Sequence, residues 1–217
     1  MNSNIDSIKI QHEKSYRNAI NELIKNNTEV LVDQDISSLI NKPPLDSMDF
    51  LKTKFLSLAK KNKIVLNTEC LDRLLDKYRK ELLKISNDIR NIRTSDLIKI
   101  LDNTELDKKD VLKLNKKDFE SINKKIIKMV KDKITEENDI VKNNIFSIFS
   151  KNIDDDIKNK VIEEAIKYMN SSYRKQIIDG IEVKMVVKDI TLINLIKEQG
   201  ERYLFTMENS RLFHDLD

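Results

Sequence analysis

The chain is short of the residues that turns, sheets and ligand-binding loops depend on. Its 217 residues include two Gly, two Pro, one Cys and no Trp. Tight hairpins and phosphate-binding loops use Gly for backbone angles that other residues resist, so this scarcity argues against both. Long helices joined by turns that contain Asn and Asp are the economical alternative. We therefore predict an all-α fold.

The same scarcity restricts the chemistry. Cys70 stands alone, and the two histidines, His12 and His214, lie near opposite ends of the chain. Neither a Cys/His zinc site nor the paired-histidine motif of zinc proteases can be assembled from these residues within one chain. Two glycines also exclude the phosphate loop and the dinucleotide fingerprint. Cys70 is predicted to be a packing residue and not a catalytic thiol.

A metal site built from carboxylates alone stays open for Mg²⁺ or Ca²⁺. Asp154, Asp155 and Asp156 form the clearest acidic group. Consecutive residues at a helix start point in different directions, however, and Asp is favoured there for capping. We predict no bound metal, no cofactor and no enzymatic activity, with a carboxylate-metal hydrolase as the distant alternative.

The N-terminus lacks the apolar core of a signal peptide, and no window approaches the apolar length that spans a bilayer. A single Cys suits a reducing compartment. We therefore expect a cytoplasmic protein with no membrane partner. The abundance of Lys, Asn and Ile is typical of an AT-rich genome, so it is weak support for ligand binding.

Apolar residues at alternating steps of four and three form a heptad seam on one long helix. That helix is predicted to begin after an Asn67 cap and to run to about Arg93. Such a stripe must be buried, either within a bundle or against a partner. The seam, which is also the predicted partner-binding set, consists of Leu71, Leu75, Tyr78, Leu82, Ile85, Ile89 and Ile92.

The rest of the chain predicts an elongated or bundled protein of about seven to nine helices. Further helices are expected to start at Thr94, Asp107, Asn115, Thr135 and Asp154. Gly180 is placed as a left-handed C-cap, and the β-branched residues that follow predict at most one short β-hairpin near residues 182–190. The pair Pro43 and Pro44 breaks any helix. The predicted segments are 1–42, 43–180 and 181–217.

The charge of the chain is unevenly distributed. Residues 47–134 carry 23 basic and 14 acidic groups, whereas the segments on either side are net acidic. Four lysines fall opposite the apolar face of the helix expected from Asn115, and two arginines precede them. This alternative nucleic-acid-binding set consists of Lys117, Lys124, Lys128, Lys131, Arg90 and Arg93. An ordinary solvated face is the simpler explanation.

Two functions follow from these patterns. The first is a non-enzymatic adaptor or assembly protein whose helical surfaces bind another protein or a second copy of this chain. The second is a nucleic-acid-binding protein, a regulator or a maintenance factor of a mobile element, that uses the basic central segment 47–134.

Overall fold

The architecture is entirely helical in the part of the chain that the structure describes. The computed structural model describes residues 2–30, 47–106, 111–144, 148–149, 153–168 and 174–214. The helices there are α1 (Asn2–Asn27), α2 (Ser47–Lys61), α3 (Thr68–Asp102), α4 (Lys116–Asn144), α5 (Asp155–Tyr168) and α6 (Arg174–His214). These ranges hold no strand, so the predicted all-α class is confirmed. The six helices found in them are fewer than the seven to nine predicted.

Three helix starts follow the predicted capping residues. The side-chain oxygens of Asn67, Asn115 and Asp154 each accept a backbone N–H two or three residues further on, at 3.0, 3.1 and 2.8 Å. These bonds satisfy amide groups that have no partner inside the helix. The predicted starts of α3, α4 and α5 are therefore confirmed.

Two predicted helix starts are wrong because the threonines make other hydrogen bonds. Thr94 lies inside α3, where its hydroxyl is 2.6 Å from the hydroxyl of Thr28. Thr135 lies inside α4, and its hydroxyl donates to the carbonyl of Lys131 at 2.8 Å. A threonine whose hydroxyl is satisfied in this way can remain in a helix interior. Two longer helices replace four shorter ones.

The short extended segment suggested near residues 182–190 is not found, and the C-cap placed at Gly180 is wrong. Both lie within α6, which is one continuous helix. Burial along its inward side outweighs the local preference of β-branched residues for strands. The inward positions recur at helical spacing and are all buried: Ile181, Met185, Asp189, Leu192 and Ile196.

Two other predictions concern residues outside the described ranges. The break at Pro43 and Pro44 lies there, as does the start of the helix expected from Asp107. Residues 111–115, where that helix was expected to end, are not helical. Residue 181, the predicted start of the last segment, lies inside α6. The division into three segments stays a prediction.

The chain forms two compact units that are interleaved in sequence. Unit 1 comprises Met1–Glu29, Ile89–Lys124 and Met185–Asp217. Unit 2 comprises Val30–Asp88 and Lys125–Lys184. Each of the helices α3, α4 and α6 contributes a segment to both units.

In unit 1, α1 holds the C-terminal end of α3. The guanidinium of Arg17 donates to the carbonyls of Leu101 at 2.9 Å and Thr104 at 3.0 Å. Leu101 lies in the last turn of α3 and Thr104 two residues beyond its end, where hydrogen-bond partners inside the helix run out. The ring of Tyr16 also stacks on Tyr203 of α6, with centroids 4.7 Å apart. Helix α1 is thereby fixed to two others.

In unit 2, α2 packs against α5 and ends in a tight reversal. The N–H of Ile64 donates to the carbonyl of Ala59 at 2.8 Å, and Lys63 has a φ of 54°. This is the left-handed helix ending that usually uses Gly, here formed by Lys. The chain then pairs with a distant segment, since the N–H of Asn67 donates to the carbonyl of Ile148 at 2.7 Å.

Gly200 of α6 allows a close approach in unit 1. A Cβ at this position would lie 2.6 Å from Cγ1 of Val111 and 3.2 Å from the hydroxyl of Tyr16. The first distance is shorter than two carbon atoms tolerate. The absence of a side chain therefore lets Val111 pack closely against α6.

We expect Gly200→Ala to lower the free energy of unfolding by about 1 to 2 kcal/mol. Overpacking against Val111 outweighs the better helix propensity of Ala. Urea unfolding followed by circular dichroism measures the change. In the background Val111→Ala, which removes the atoms that clash, Gly200→Ala is expected to be neutral or stabilising. The same loss in both backgrounds would show that the contact with Val111 is not the cause.

Candidate interaction surfaces

The heptad seam of α3 is covered by the chain itself. Ile92 is half-buried, and the side chain of Tyr78 lies outside what the structure describes. A buried stripe cannot present itself to a partner without rearrangement, so the burial favours intramolecular packing over partner binding. The use of these residues for binding stays a prediction. The other seam residues are buried: Leu71, Leu75, Leu82, Ile85 and Ile89.

A closed polar network lies inside unit 1 and joins three helices. The buried guanidinium of Arg93 on α3 donates from Nη2 to Oδ1 of Asp189 on α6, and from Nη1 to Oδ1 of Asn123 on α4 at 2.6 Å. Asn123 Nδ2 donates in turn to Oδ2 of Asp189 at 2.6 Å. Each member therefore bonds both others. The network fixes the contact positions of α3, α4 and α6.

The network removes Arg93 from the predicted nucleic-acid-binding set. Its side chain is 1% exposed, and a guanidinium enclosed in this way does not face a surface where phosphate could bind. Arg93 was placed at the surface because residues 182–190 were expected to be extended. In an extended segment Asp189 is not recognised as a partner of Arg93 on a neighbouring helix. The partners are 96 residues apart, beyond the range of any local pattern.

The remaining cations of that set lie at the surface. Lys117, Lys124, Lys128 and Lys131 are exposed on α4, and Arg90 is exposed on α3. The four lysines follow one another at intervals of seven, four and three residues, which keeps them on one side of the helix. This lysine stripe lies opposite the buried residues Phe119, Ile122, Ile126 and Val130.

The outer side of α6 carries an apolar patch, here called the α6 face. Val183, Val186, Val187 and Ile190 are 64, 53, 54 and 57% exposed. Their spacing of i, i+3, i+4 and i+7 places them side by side over about 10 Å of helix. Single exposed apolar residues are ordinary, whereas a contiguous group commonly marks an interaction site.

The spacing that defines the α6 face was visible in the sequence. Four β-branched residues at helical intervals are consistent with either a strand or a helix face over so short a stretch. Their type favoured the extended segment that was predicted, whereas their spacing fits the helix that is found. The face was therefore missed as a binding surface.

The described residues bear on metal ligation, on the state of the lone thiol and on membrane crossing. Among them, no group of three or more His, Cys, Asp or Glu residues could hold a metal ion. Cys70 is a free, half-buried thiol in the first turn of α3. Of the helices described, none is both long enough and apolar enough to cross a membrane.

One surface carboxyl has a shifted pKa, and its cause is local. A hydrogen bond from Lys80 lowers the pKa of Asp76, with Arg79 adding a weaker attraction. Because the pKa is lower in the folded chain, the pair stabilises the fold above the unfolded pKa, and that contribution is lost as pH falls through the folded pKa. All three residues lie within about one turn of α3, so the shift supports the helix and marks no site.

Comparisons with family models, with curated proteins and with solved structures return no match to this chain. The functional proposals therefore rest on the geometry and chemistry of the described residues.

We expect Asp189→Asn to lower the free energy of unfolding by about 3 kcal/mol or more. The substitution keeps the shape but leaves the buried charge of Arg93 uncompensated. The matched control is Asp88→Asn, which breaks the ion pair between Lys133 and Asp88, whose side chains are 38 and 41% exposed. That change should cost less than about 1 kcal/mol. Equal losses in urea unfolding would contradict a special role for the buried network.

Proposed function

We propose that this chain is a non-enzymatic adaptor or assembly protein that binds another protein chain through the α6 face. The single observation that carries the proposal is the exposed group Val183, Val186, Val187 and Ile190. Burying these side chains would contribute on the order of 4 to 6 kcal/mol before the entropy cost of association. That is enough to support a specific but modest contact when polar residues around it add orientation.

The opposite side of the same helix supports this interpretation. The inward side of α6 packs through Met185, Leu192 and Ile196, and it supplies Asp189 to the buried network. The inward contacts of α6 therefore hold the helix in place, and the α6 face lies on its outer side. A rigid helix face loses little conformational entropy on binding, which favours association.

The proposal is tested by capture from native lysate with the full chain as bait. We expect the wild-type chain to retain a specific protein that Val187→Asp does not retain, because the new carboxylate would be buried without a partner. The control is Ile10→Asp, at an isolated apolar residue of α1 that is 66% exposed. Both substitutions should leave thermal unfolding nearly unchanged. Identical retention by wild type and Val187→Asp would contradict the proposal.

A second candidate function, nucleic-acid binding, is favoured by the lysine stripe on α4. All four lysines are exposed on one side of the helix, as phosphate contacts require. Lysine is a point charge without base-reading geometry, so binding of this kind would be independent of sequence.

We expect the wild-type chain to bind nucleic acid at low salt and to lose affinity steeply between about 50 and 200 mM salt. Absence of binding at low salt would contradict this function. Changing all four stripe lysines to Gln should weaken binding at low salt about tenfold or more. The control changes four exposed lysines elsewhere and alters the net charge equally: Lys14, Lys60, Lys61 and Lys160. Fluorescence anisotropy with duplex and single-stranded oligonucleotides measures both. Equal loss in the two variants would show a net-charge effect and exclude the stripe as a site.

A further inference from the structure

We propose that the partner of the α6 face is a second copy of this chain, with the two α6 helices antiparallel about a twofold axis at the level of residue 188. The inference rests on the proposed function, since it names the partner of the same surface. The charges that flank the four apolar residues carry it.

Asp179 and Lys197 lie on the same side of α6, one before the apolar group and one after it. They are separated by eighteen residues, which is five complete turns at 3.6 residues per turn. Both are exposed, and each is nine residues from residue 188. Because all these residues belong to one continuous helix, their relative positions follow from helix geometry alone.

Antiparallel pairing brings these opposite charges together. Around a twofold axis at the level of residue 188, a position nine residues before the axis faces a position nine residues after it on the other copy. Asp179 of each copy therefore faces Lys197 of the other, which gives two identical pairs. Val186 faces Ile190 in the same way, and Val187 lies close to its own symmetry mate. The interface is self-complementary, as a twofold contact must be.

The next positions along the face agree with this pairing. Lys175 and Glu201 are both exposed, carry opposite charges and lie thirteen residues on either side of residue 188. Six residues out, Glu182 faces Asn194, so no like charges meet there. A parallel arrangement would instead place each Asp179 on its own counterpart and each lysine on its own counterpart. The charge pattern thus selects the antiparallel orientation.

The contact is expected to be weak and reversible. Four apolar side chains on each copy bury less surface than a standard protein interface, and the ion pairs lie at its rim. Dissociation in the micromolar range or weaker suits such a surface. The dimer should therefore form and separate with concentration under native conditions.

Sedimentation equilibrium of the full chain over a range of concentrations tests the proposal. We expect a monomer–dimer equilibrium that Val187→Asp weakens about a hundredfold, since two carboxylates would meet near the axis. Asp179→Lys alone and Lys197→Asp alone should each weaken the dimer about tenfold through repulsion at both pairs. An equimolar mixture of these two variants should recover near wild-type affinity, because each supplies the charge that the other needs. The double variant should recover it too.

The matched controls are Glu163→Lys and Lys160→Glu, which reverse exposed charges on α5. They should leave the dimer unchanged alone and in mixture. Weakening by each single variant, followed by recovery to the wild-type level in the mixture, supports the antiparallel pairing. In a parallel dimer each single variant would keep two like-charge pairs, as the wild type has, so it would bind as the wild type does and the mixture would bind more tightly than the wild type. A different partner would produce neither result.

Three outcomes would overturn the inference: a chain that stays monomeric at every concentration, a dimer that Val187→Asp leaves intact, or a mixture of charge variants no tighter than either variant. These outcomes are distinguishable from failure of the proposed function. A monomeric chain whose captured protein is still lost in Val187→Asp would mean that the face binds a different partner. A monomeric chain with no loss in that variant would overturn both.

Discussion

The buried ion pair between Arg93 and Asp189 is the constraint on which unit 1 depends. An enclosed guanidinium is tolerated only beside a carboxylate and further acceptors, and Asp189 and Asn123 supply both. The three residues come from α3, α4 and α6, so none of these helices can shift along its axis without breaking the network. The carboxylate must also point inward from α6, which fixes the rotation of that helix. Once Asp189 points inward, Val187, two residues earlier and about 160° away around the helix, points outward.

Local signals were sufficient for much of the fold. Scarce Gly and Pro predicted an all-α chain, and the caps at Asn67, Asn115 and Asp154 predicted three helix starts, because an Asn or Asp before a periodic apolar run acts through its own neighbours. The wrong starts at Thr94 and Thr135 have a physical cause. A threonine looks the same in sequence whether its hydroxyl caps a helix, bonds another threonine across unit 1, or donates to the preceding turn.

The α6 face was harder to predict from the sequence than the fold, because the exposure of a side chain depends on the folded chain. The seam of α3 and the α6 face are both apolar and helically spaced, yet Leu71 and Ile85 are buried whereas Val183 and Val187 are exposed. Which stripe is covered depends on contacts between distant segments. Arg93 shows that burial of a charged residue is equally hard to predict, since it was grouped with the surface cations and its side chain is buried. The lysine stripe was predictable because it lies opposite a strong apolar face on its own helix.

The α6 face has a composition that an exposed helix surface does not favour. Valine and isoleucine are slightly poorer helix formers than lysine or glutamate, by a few tenths of a kcal/mol each, and in contact with water they gain nothing from packing. The lysine stripe of α4 shows the charged residues that suit a solvated helix. The four apolar residues side by side on α6 therefore slightly destabilise the helix, and no packing contact within the chain compensates for this. These residues become favourable when a second apolar surface covers them. The opposite charges of Asp179 and Lys197, at the two ends of the group, would align the α6 face of a second copy in the antiparallel direction.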